Sequence, residues 1–127
     1  IVLLSMNNNI SHNSISQSTT GVLLAGSYKT VMYRNNITNN DKGVYTMWTS
    51  ADRILQNNFI DNNKSASAAQ GILFLMIYRF KGEITFPIRR NVWNQNYWDR
   101  PRFFPYKSPG VLMFFIDWHP AQEPYDI

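Results

Sequence analysis

The sequence contains no cysteine, little charge and no long apolar run, and each absence excludes a class of protein. Without cysteine the chain forms no disulfide scaffold, no cysteine–zinc site and no thiol catalyst. Its longest apolar run, residues 71–78, has the length of a strand, whereas a membrane span needs about 18 apolar residues. Charged residues amount to only 16%, but 44% of the residues are hydrophobic, which argues against disorder. The 127 residues therefore predict one folded domain without a membrane span.

Asparagine is the abundant polar residue instead: it occurs 15 times, and several copies follow a repeat of 22 residues. One motif, a glycine followed by alternating apolar residues, begins at Gly21, Gly43 and Gly71. A second motif places an asparagine two residues before an apolar side chain, at Asn13, Asn35, Asn57 and Asn91. We interpret the longer intervals at the end as two six-residue insertions, one at residues 65–70 and one between residues 71 and 88.

A unit of this length is compatible with a leucine-rich repeat or with one turn of a parallel β-helix. A leucine-rich repeat requires a leucine ladder and a helix-forming stretch in every unit, and no window of the sequence has a helical period. The units instead alternate β-branched and aromatic residues between Ser, Thr and Asn, which is typical of short strands between tight turns. We therefore predict an all-β fold, a parallel β-helix of about four turns. Its inward side chains are expected to be Val22, Met32, Ile37, Val44, Ile54, Phe59 and Ile72.

The repeated asparagines have a structural role in such a fold. Asparagine tolerates left-handed backbone torsions and therefore suits a sharp corner between two strands. Stacked copies can also pass amide hydrogen bonds from turn to turn, as asparagine ladders do in cross-β structures. We predict that Asn13, Asn35, Asn57 and Asn91 form one structural ladder.

Beyond residue 98 the repeat disappears, and prolines and aromatic residues become frequent. The end of a β-helix exposes strand edges and apolar interior that natural proteins cover. We therefore divide the chain into β-helix repeats over residues 1–98 and an irregular capping segment over residues 99–127. The side chains expected to fold over the end are Trp93, Trp98, Phe103, Phe104 and Trp118. A ligand-binding aromatic platform is the alternative role for them.

The repeats resemble the right-handed parallel β-helix repeats of the NosD-like group, also called carbohydrate-binding and sugar-hydrolase domains. The resemblance covers about three quarters of the chain through the Gly-apolar-x-apolar and Asn-x-Ile motifs. The Asn-Tyr-Trp-Asp sequence at residues 96–99 and the Asp-Trp-His-Pro…Glu-Pro-Tyr-Asp-Ile sequence at residues 117–127 resemble the ends of archaeal, methanogen-type members. This resemblance implies a right-handed coil and an extracellular or cell-surface location, periplasmic in a bacterium. It also implies the C-terminal portion of a longer protein, with upstream coils of the same protein as a partner.

The acidic residues do not form a recognisable catalytic group. Asp41, Asp52 and Asp61 lie near predicted turns, where we expect them to be solvated, and four more acidic residues lie beyond residue 98. Asp41 and Asp61 would lie in neighbouring turns, but their separation of 20 residues puts them out of register. The Asn-Thr-Asp, Asp-Asp and Gly-His-Gly signatures of polygalacturonases do not occur. We predict no catalytic residue, and a fragment of a polysaccharide lyase or hydrolase is the alternative.

The resemblance also suggests a role in binding copper, because NosD is tied to copper delivery for nitrous-oxide reductase. Copper prefers histidine, methionine or cysteine ligands. His12 and His119 lie at opposite ends of the chain, and neither a His-x-His nor a Met-x-Met sequence occurs. We therefore predict neither a metal site nor a cofactor, and copper delivery is a second alternative.

Basic and aromatic residues are interleaved between residues 78 and 107. This pattern is compatible with single-stranded nucleic acid or with an anionic glycan, but no nucleic-acid-binding motif occurs. The resemblance favours a polysaccharide or a cell-surface glycan as the partner, and no nucleic acid. The residues expected to contact the glycan are Arg89, Arg90, Tyr97, Trp98 and Arg100. The sequence thus predicts a carbohydrate-binding or structural surface module without catalysis of its own.

Overall fold

The computed structural model describes residues 2–3, 5–69, 91–108 and 116–127, which form a parallel β-helix of about four turns. Three sheets run along the helix, and successive turns add one strand to each sheet. The predicted all-β parallel β-helix is therefore confirmed. None of the described residues belongs to a helix that could cross a membrane.

The strands are short and are numbered in chain order. Sheet 1 contains β1 (Val2–Leu3), β4 (Thr20–Ala25), β7 (Lys42–Met47) and β10 (Lys64–Ala69). Sheet 2 contains β2 (Asn9–Ser11), β5 (Val31–Tyr33), β8 (Arg53–Leu55), β11 (Val92–Asn94), β13 (Tyr106–Lys107) and β14 (Ile116–Asp117). Sheet 3 contains β3 (Ser14–Ser16), β6 (Asn36–Thr38), β9 (Asn58–Ile60) and β12 (Tyr97–Trp98). Strands of successive turns pair in parallel, and β13 pairs with β14 antiparallel.

The 22-residue repeat sets the register between turns. In sheet 2, Met32 pairs with Ile10 and with Ile54. In sheet 3, Ile37 pairs with Ile15 of the preceding turn and with Phe59 of the following turn. Because the offset is one whole repeat, like side chains stack in columns along the inside of the helix. The expected inward residues Val22, Met32, Ile37, Val44, Ile54 and Phe59 are all buried in one apolar core, and Ile72 lies outside the described residues.

The glycine motif marks a close approach between turns. A Cβ atom on Gly43 would collide with the carbonyl oxygen of Ser65, and one on Gly21 would lie 2.8 Å from the carbonyl oxygen of Gly43. In the next turn the position of Gly43 is occupied by Ser65, because the two neighbours of Ser65 pair with Lys42 and Val44. The prediction that Gly71 begins the third copy is therefore wrong, because residues 64–69 continue the repeat without an insertion.

The last turn begins after one long insertion and not after two short ones. Trp93 pairs with Ile54, and Trp98 pairs with Phe59. Each offset is 39 residues, 17 more than the usual 22. Since strand β10 still keeps the 22-residue offset, the additional residues lie between Ala69 and Val92. The predicted insertions at residues 65–70 and between residues 71 and 88 are corrected accordingly.

The backbone turns at the residue before each corner asparagine, and not at the asparagine itself. His12, Arg34, Gln56 and Gln95 have φ values of 57, 50, 53 and 56° and precede the asparagines of one corner. This backbone region is unfavourable for residues with a Cβ atom, and glycine is the usual choice there. The expectation that the corner asparagines adopt left-handed torsions is therefore wrong. Their side-chain amides instead form hydrogen bonds to the neighbouring turns.

The C-terminal segment covers the end of the core with fewer aromatic residues than expected. The Trp98 ring lies between Phe59, with a centroid distance of 4.5 Å, and Tyr106, at 4.0 Å. Trp93 and Trp98 are buried, as predicted. The expected capping role of Phe103, Phe104 and Trp118 is wrong, because these side chains are 90%, 81% and 63% exposed. Tyr106, on β13, covers the end instead.

Candidate functional site

A ladder of amide hydrogen bonds follows the corner between sheets 2 and 3. The backbone N–H and the side-chain amide of Asn13 donate to Oδ1 of Asn35, at 3.1 and 3.0 Å. Asn35 donates in the same way to Asn57, at 2.9 Å in both bonds, and Asn57 donates to Asn96, at 3.0 and 3.1 Å. Every bond of this ladder runs from one turn to the next turn toward the C-terminus. We call it the first ladder.

Asn91 lies at a different corner, so its predicted place after Asn57 is wrong. Its Oδ1 accepts the backbone N–H of Asp52 at 3.0 Å, and Asp52 accepts the backbone N–H of Thr30 at 2.8 Å. This second ladder follows the corner between sheets 1 and 2. Two corners in each turn, five residues apart, therefore carry a polar residue two positions before an apolar one. The sequence around Asn91 and Asn96 satisfies this motif twice, and the pairing of Trp98 with Phe59 assigns Asn96 to the first ladder.

A third ladder follows the corner between sheets 3 and 1. The backbone N–H of Ser18 donates to Oδ1 of Asn40 at 3.1 Å, and Asn40 donates to Oδ1 of Asn62 through its N–H and its side-chain amide, at 2.9 and 3.0 Å. The side-chain amide of Asn62 also donates to the carbonyl oxygen of Ile37, at 2.8 Å. All three corners of the helix are thus held by polar side chains that satisfy backbone groups of the neighbouring turn.

The first ladder ends on the carboxylate of Asp117, which is buried. Asp117 accepts the backbone N–H groups of Gln95, Asn96 and His119 at 3.1, 2.9 and 3.2 Å. It also accepts the side-chain N–H groups of Asn96 and Trp98, both at 3.1 Å. The sequence gives little sign of this role, because Asp117 lies outside the 22-residue repeat and its register partner in the preceding turn is an apolar residue, Trp93.

Asp52 is a second buried carboxylate, where the sequence predicted a solvated turn residue. It is 0% exposed, and its oxygens accept the Ser27 hydroxyl and the Thr30 backbone N–H. Burial raises the pKa of the Asp52 carboxyl above its ordinary value, and these two hydrogen bonds oppose the rise. The position equivalent to Asp52 in the next turn is Asn91, so an uncharged amide is compatible with this ladder.

The remaining acidic and histidine side chains have separate neighbours. Oδ1 of Asp41 accepts the side-chain amide of Asn63 at 3.0 Å, and Asp61 donates its backbone N–H to Asp99 at 2.6 Å. His12 packs edge-on against Tyr33, and Nδ1 of His119 lies 3.2 Å from Oδ1 of Asn94. Within residues 2–3, 5–69, 91–108 and 116–127, no three histidine, aspartate or glutamate side chains converge as they would around a metal ion.

The residues expected to contact a glycan differ in whether the structure exposes them to solvent. Trp98 is 0% exposed between Phe59 and Tyr106, and Tyr97 is 8% exposed, with its hydroxyl bonded to the carbonyl oxygen of Asp99 at 3.1 Å. Neither ring presents a face to solvent, so their predicted role as glycan contacts is wrong. Arg100 is exposed and stays a prediction. Arg89 and Arg90 lie outside the described residues.

Exposed aromatic side chains lie instead in two segments of the C-terminal region, at Phe103 and Phe104 and at Trp118. Together with the neighbouring Arg100 and Arg102 we call these residues the cap face. Tyr106 pairs with Asp117 in the antiparallel β13–β14 ribbon, so the chain before Tyr106 faces the chain after Asp117. The Gln122 side-chain amide bonds to the carbonyl oxygens of Arg102 and Pro120 and joins the same two segments. The guanidinium group of Arg102 lies 4.8 Å from the centre of the Tyr106 ring. The cap face therefore combines apolar rings with cations.

Comparison with models of protein families gives a match over most of the chain. The model of a family described as "Periplasmic copper-binding protein (NosD)" matches residues 1–102. Searches of the curated proteins and of the solved structures find no match. Copper would need several histidine, methionine or cysteine ligands in one place. The chain has no cysteine, and its histidines lie in the first turn and beyond the fourth. The described histidine, aspartate and glutamate side chains form no group of three that could hold a metal ion.

Proposed function

We propose that the chain, which belongs to the family described as "Periplasmic copper-binding protein (NosD)", is a carbohydrate-binding module without catalysis of its own. Family and fold together make it a periplasmic or surface β-helix module. The proposed ligand is a polysaccharide or a cell-surface glycan.

The cap face is the observation that carries this proposal. Three large aromatic side chains with exposures of 63% to 90% lie in two adjoining segments, and contiguous exposed apolar patches mark interaction sites. Aromatic rings can cover the apolar faces of sugar rings, while guanidinium groups donate hydrogen bonds to hydroxyl or carboxylate oxygens. Arg100, Arg102 and the nearby Lys107 favour an anionic glycan over a neutral one. This surface corresponds to the aromatic platform that was the alternative to capping.

A purely structural module is the nearest competing function, and the three ladders support it as well as they support a binding module. A lyase or hydrolase would require two carboxylates that converge on a substrate. The buried carboxylates Asp52 and Asp117 are instead occupied by hydrogen bonds within the helix. This use of the two buried carboxylates supports a module without catalysis of its own.

Binding of the purified chain to an array of acidic and neutral glycans tests the proposal. We expect binding to an acidic glycan, weakened about tenfold by Trp118→Ala, because one buried aromatic contact contributes on the order of 1.4 kcal/mol or more. Trp48→Ala is the matched control, because Trp48 is 48% exposed at another corner and should not affect binding. If no glycan is bound, the carbohydrate proposal is overturned and a structural module is left.

A further inference from the structure

The C-terminal tail, residues 120–127, crosses the outside of the β-helix from the last turn back toward the second. The backbone N–H of Ala121 donates to the carbonyl oxygen of Asn96 in the fourth turn, at 3.0 Å. Tyr125 contacts Asn58 in the third turn and Arg34 in the second. The tail thus runs across three turns, along the corner between sheets 2 and 3.

Asn58 holds the tail through its main chain. Oδ1 of Asn58 accepts the backbone N–H of Tyr125 at 2.8 Å, and its side-chain amide donates to the Tyr125 carbonyl oxygen at 2.9 Å. A single side chain therefore satisfies both main-chain groups of one residue, as a neighbouring β-strand would. Asn58 is 2% exposed, while Asn36, at the equivalent position one turn earlier, is only partly buried. Oδ1 of Asn36 accepts the side-chain amide of Asn58 at 3.3 Å, so Asn36 helps to hold Asn58 beside the tail.

The side chain of Tyr125 is recognised separately. Its hydroxyl donates to the carbonyl oxygen of Gln95 at 2.8 Å. The guanidinium group of Arg34 lies 5.7 Å from the centre of the Tyr125 ring and 5.6 Å from that of Tyr33. Arginine against aromatic rings contributes attraction beyond simple contact. Pro120 and Pro124 restrict the tail to extended conformations, which lowers the entropy lost on docking.

We propose that this corner, formed by Tyr33, Arg34, Asn58 and the Gln95 carbonyl group, is a docking surface for an extended peptide with a tyrosine after a proline. The resident occupant is the chain's own tail, which acts as a detachable strap. Because Asn58 binds main-chain groups and Gln95 binds one phenol, the same segment from another protein chain competes for the corner. A tethered tail has an effective concentration in the millimolar range, so a free peptide binds measurably only when the tail is weakened.

The experiment uses a fluorescent peptide with the sequence of residues 119–127 and the full chain with the substitution Tyr125→Pro. This substitution removes the N–H group that Asn58 binds, the phenol that Gln95 binds and the ring beside Arg34. We expect the peptide to bind the Tyr125→Pro chain in a fluorescence anisotropy titration and to bind the unsubstituted chain at least tenfold more weakly. A peptide that carries the same Tyr-to-Pro change should not bind either chain.

Adding Asn58→Ala to the Tyr125→Pro chain should weaken peptide binding about thirtyfold, since two hydrogen bonds to main-chain groups are lost. Adding Asn63→Ala, which removes an exposed asparagine at the corner between sheets 3 and 1, is the control and should change the affinity less than threefold. Equal affinity for the Asn58→Ala and Asn63→Ala chains, or no binding to the Tyr125→Pro chain, overturns the proposal.

Hydrogen exchange supplies a second measurement in case Asn58→Ala impairs folding. In the unsubstituted chain the amide of Tyr125 should exchange at least tenfold more slowly than the exposed amide of Asp126. Exchange of Tyr125 at the rate of an unstructured peptide would contradict a docked strap. Urea or pH values that release the tail should accelerate exchange of Tyr125 before that of Asn57, which lies in the core of the first ladder.

Discussion

At the residue scale, each inner asparagine of the first ladder uses its amide group completely. Oδ1 of Asn57 accepts two bonds from Asn35, while its side-chain nitrogen donates to Oδ1 of Asn96 and to the carbonyl oxygens of Met32 and Leu55. Asn57 is 0% exposed, so water cannot replace these partners. Buried polar groups without partners are costly, and the amide therefore stabilises several neighbours at once.

The substitution Asn57→Ala should lower the free energy of unfolding by about 3 kcal/mol, because it leaves buried donors and acceptors in two turns without partners. Urea denaturation followed by circular dichroism measures the loss. The control is Asn13→Ala at the exposed start of the same ladder, which should cost less than about 1 kcal/mol because solvent reaches that corner. Equal losses in the two variants would contradict the importance of burial.

Asp52 gives a prediction on pH. Burial raises the pKa of its carboxyl in the folded state, so the folded chain retains the proton to higher pH than the unfolded chain. The contribution of Asp52 to stability is therefore fully present at pH values below the ordinary pKa of about 4 and is lost as the pH rises through the raised pKa. Asn91, which occupies the equivalent position one turn later, shows that an amide fits.

We expect Asp52→Asn to stabilise the chain at pH 7 and to remove this part of the pH dependence. Thermal unfolding between pH 4 and pH 8 checks both expectations. Asp41→Asn, at an exposed turn, is the control and should leave the pH profile nearly unchanged. An Asp52→Asn chain that is less stable than the unsubstituted chain at pH 7 would show that the charged carboxylate is favoured.

The sequence indicates the repeated residues of these ladders but not the exceptional ones. Asn13, Asn35 and Asn57 stand out because they recur at a fixed interval. Asp52 and Asp117 do not, because an isolated aspartate in a polar stretch is usually a solvated turn residue. Their burial depends on which turn is stacked above them, and this is a property of the assembled helix.

At the scale of the elements, the register of the last turn shows a second limit of the sequence. A polar residue two positions before an apolar one occurs at two corners of each turn, five residues apart. The Asn91–Trp93 and Asn96–Trp98 pairs both satisfy it, so the motif alone cannot decide which one follows Asn57. The stacking of Trp98 between Phe59 and Tyr106 makes that choice in the folded chain.

The substitution Trp98→Ala should therefore be severe, with a loss of about 3 to 5 kcal/mol in the free energy of unfolding. The side chain is fully buried, and its removal leaves a cavity between two aromatic rings and removes one donor from Asp117. Guanidinium denaturation measures the loss. Trp118→Ala provides the comparison for a loss of tryptophan at an exposed site and should cost less than about 0.5 kcal/mol.

At the scale of the whole molecule, the two ends of the described helix differ. Asp117 and Tyr106 cover the C-terminal end, whereas β1, β2 and β3 form the outer edges of the sheets at the other end. Ile10 and Ile15 of the first turn are only partly buried, although their counterparts Met32 and Ile37 are fully buried. Open strand edges beside exposed apolar side chains are sites of association.

We expect the isolated chain to associate in a concentration-dependent way through its first turn, because none of the described residues forms a further turn stacked on it. Sedimentation velocity over a hundredfold range of concentration, on the order of 1 to 100 µM, measures the effect. Ile15→Lys should reduce association by placing a charge on the open face, while Trp48→Lys, away from that end, should not. A monomer at every concentration would contradict the expectation. A stacked upstream coil of the same protein is the partner that we propose for this face.

The common direction of the ladder bonds has an electrical consequence. The amides of Asn35, Asn57 and Asn96 each point their oxygen toward the first turn and direct one side-chain N–H bond toward the last. Aligned dipoles add, as they do along an α-helix. The column therefore carries partial negative charge at its start and partial positive charge where it meets Asp117. The carboxylate is the complementary charge at that position, so the column gains from its terminal anion the kind of stabilisation that a helix gains from an acidic residue at its N-terminus.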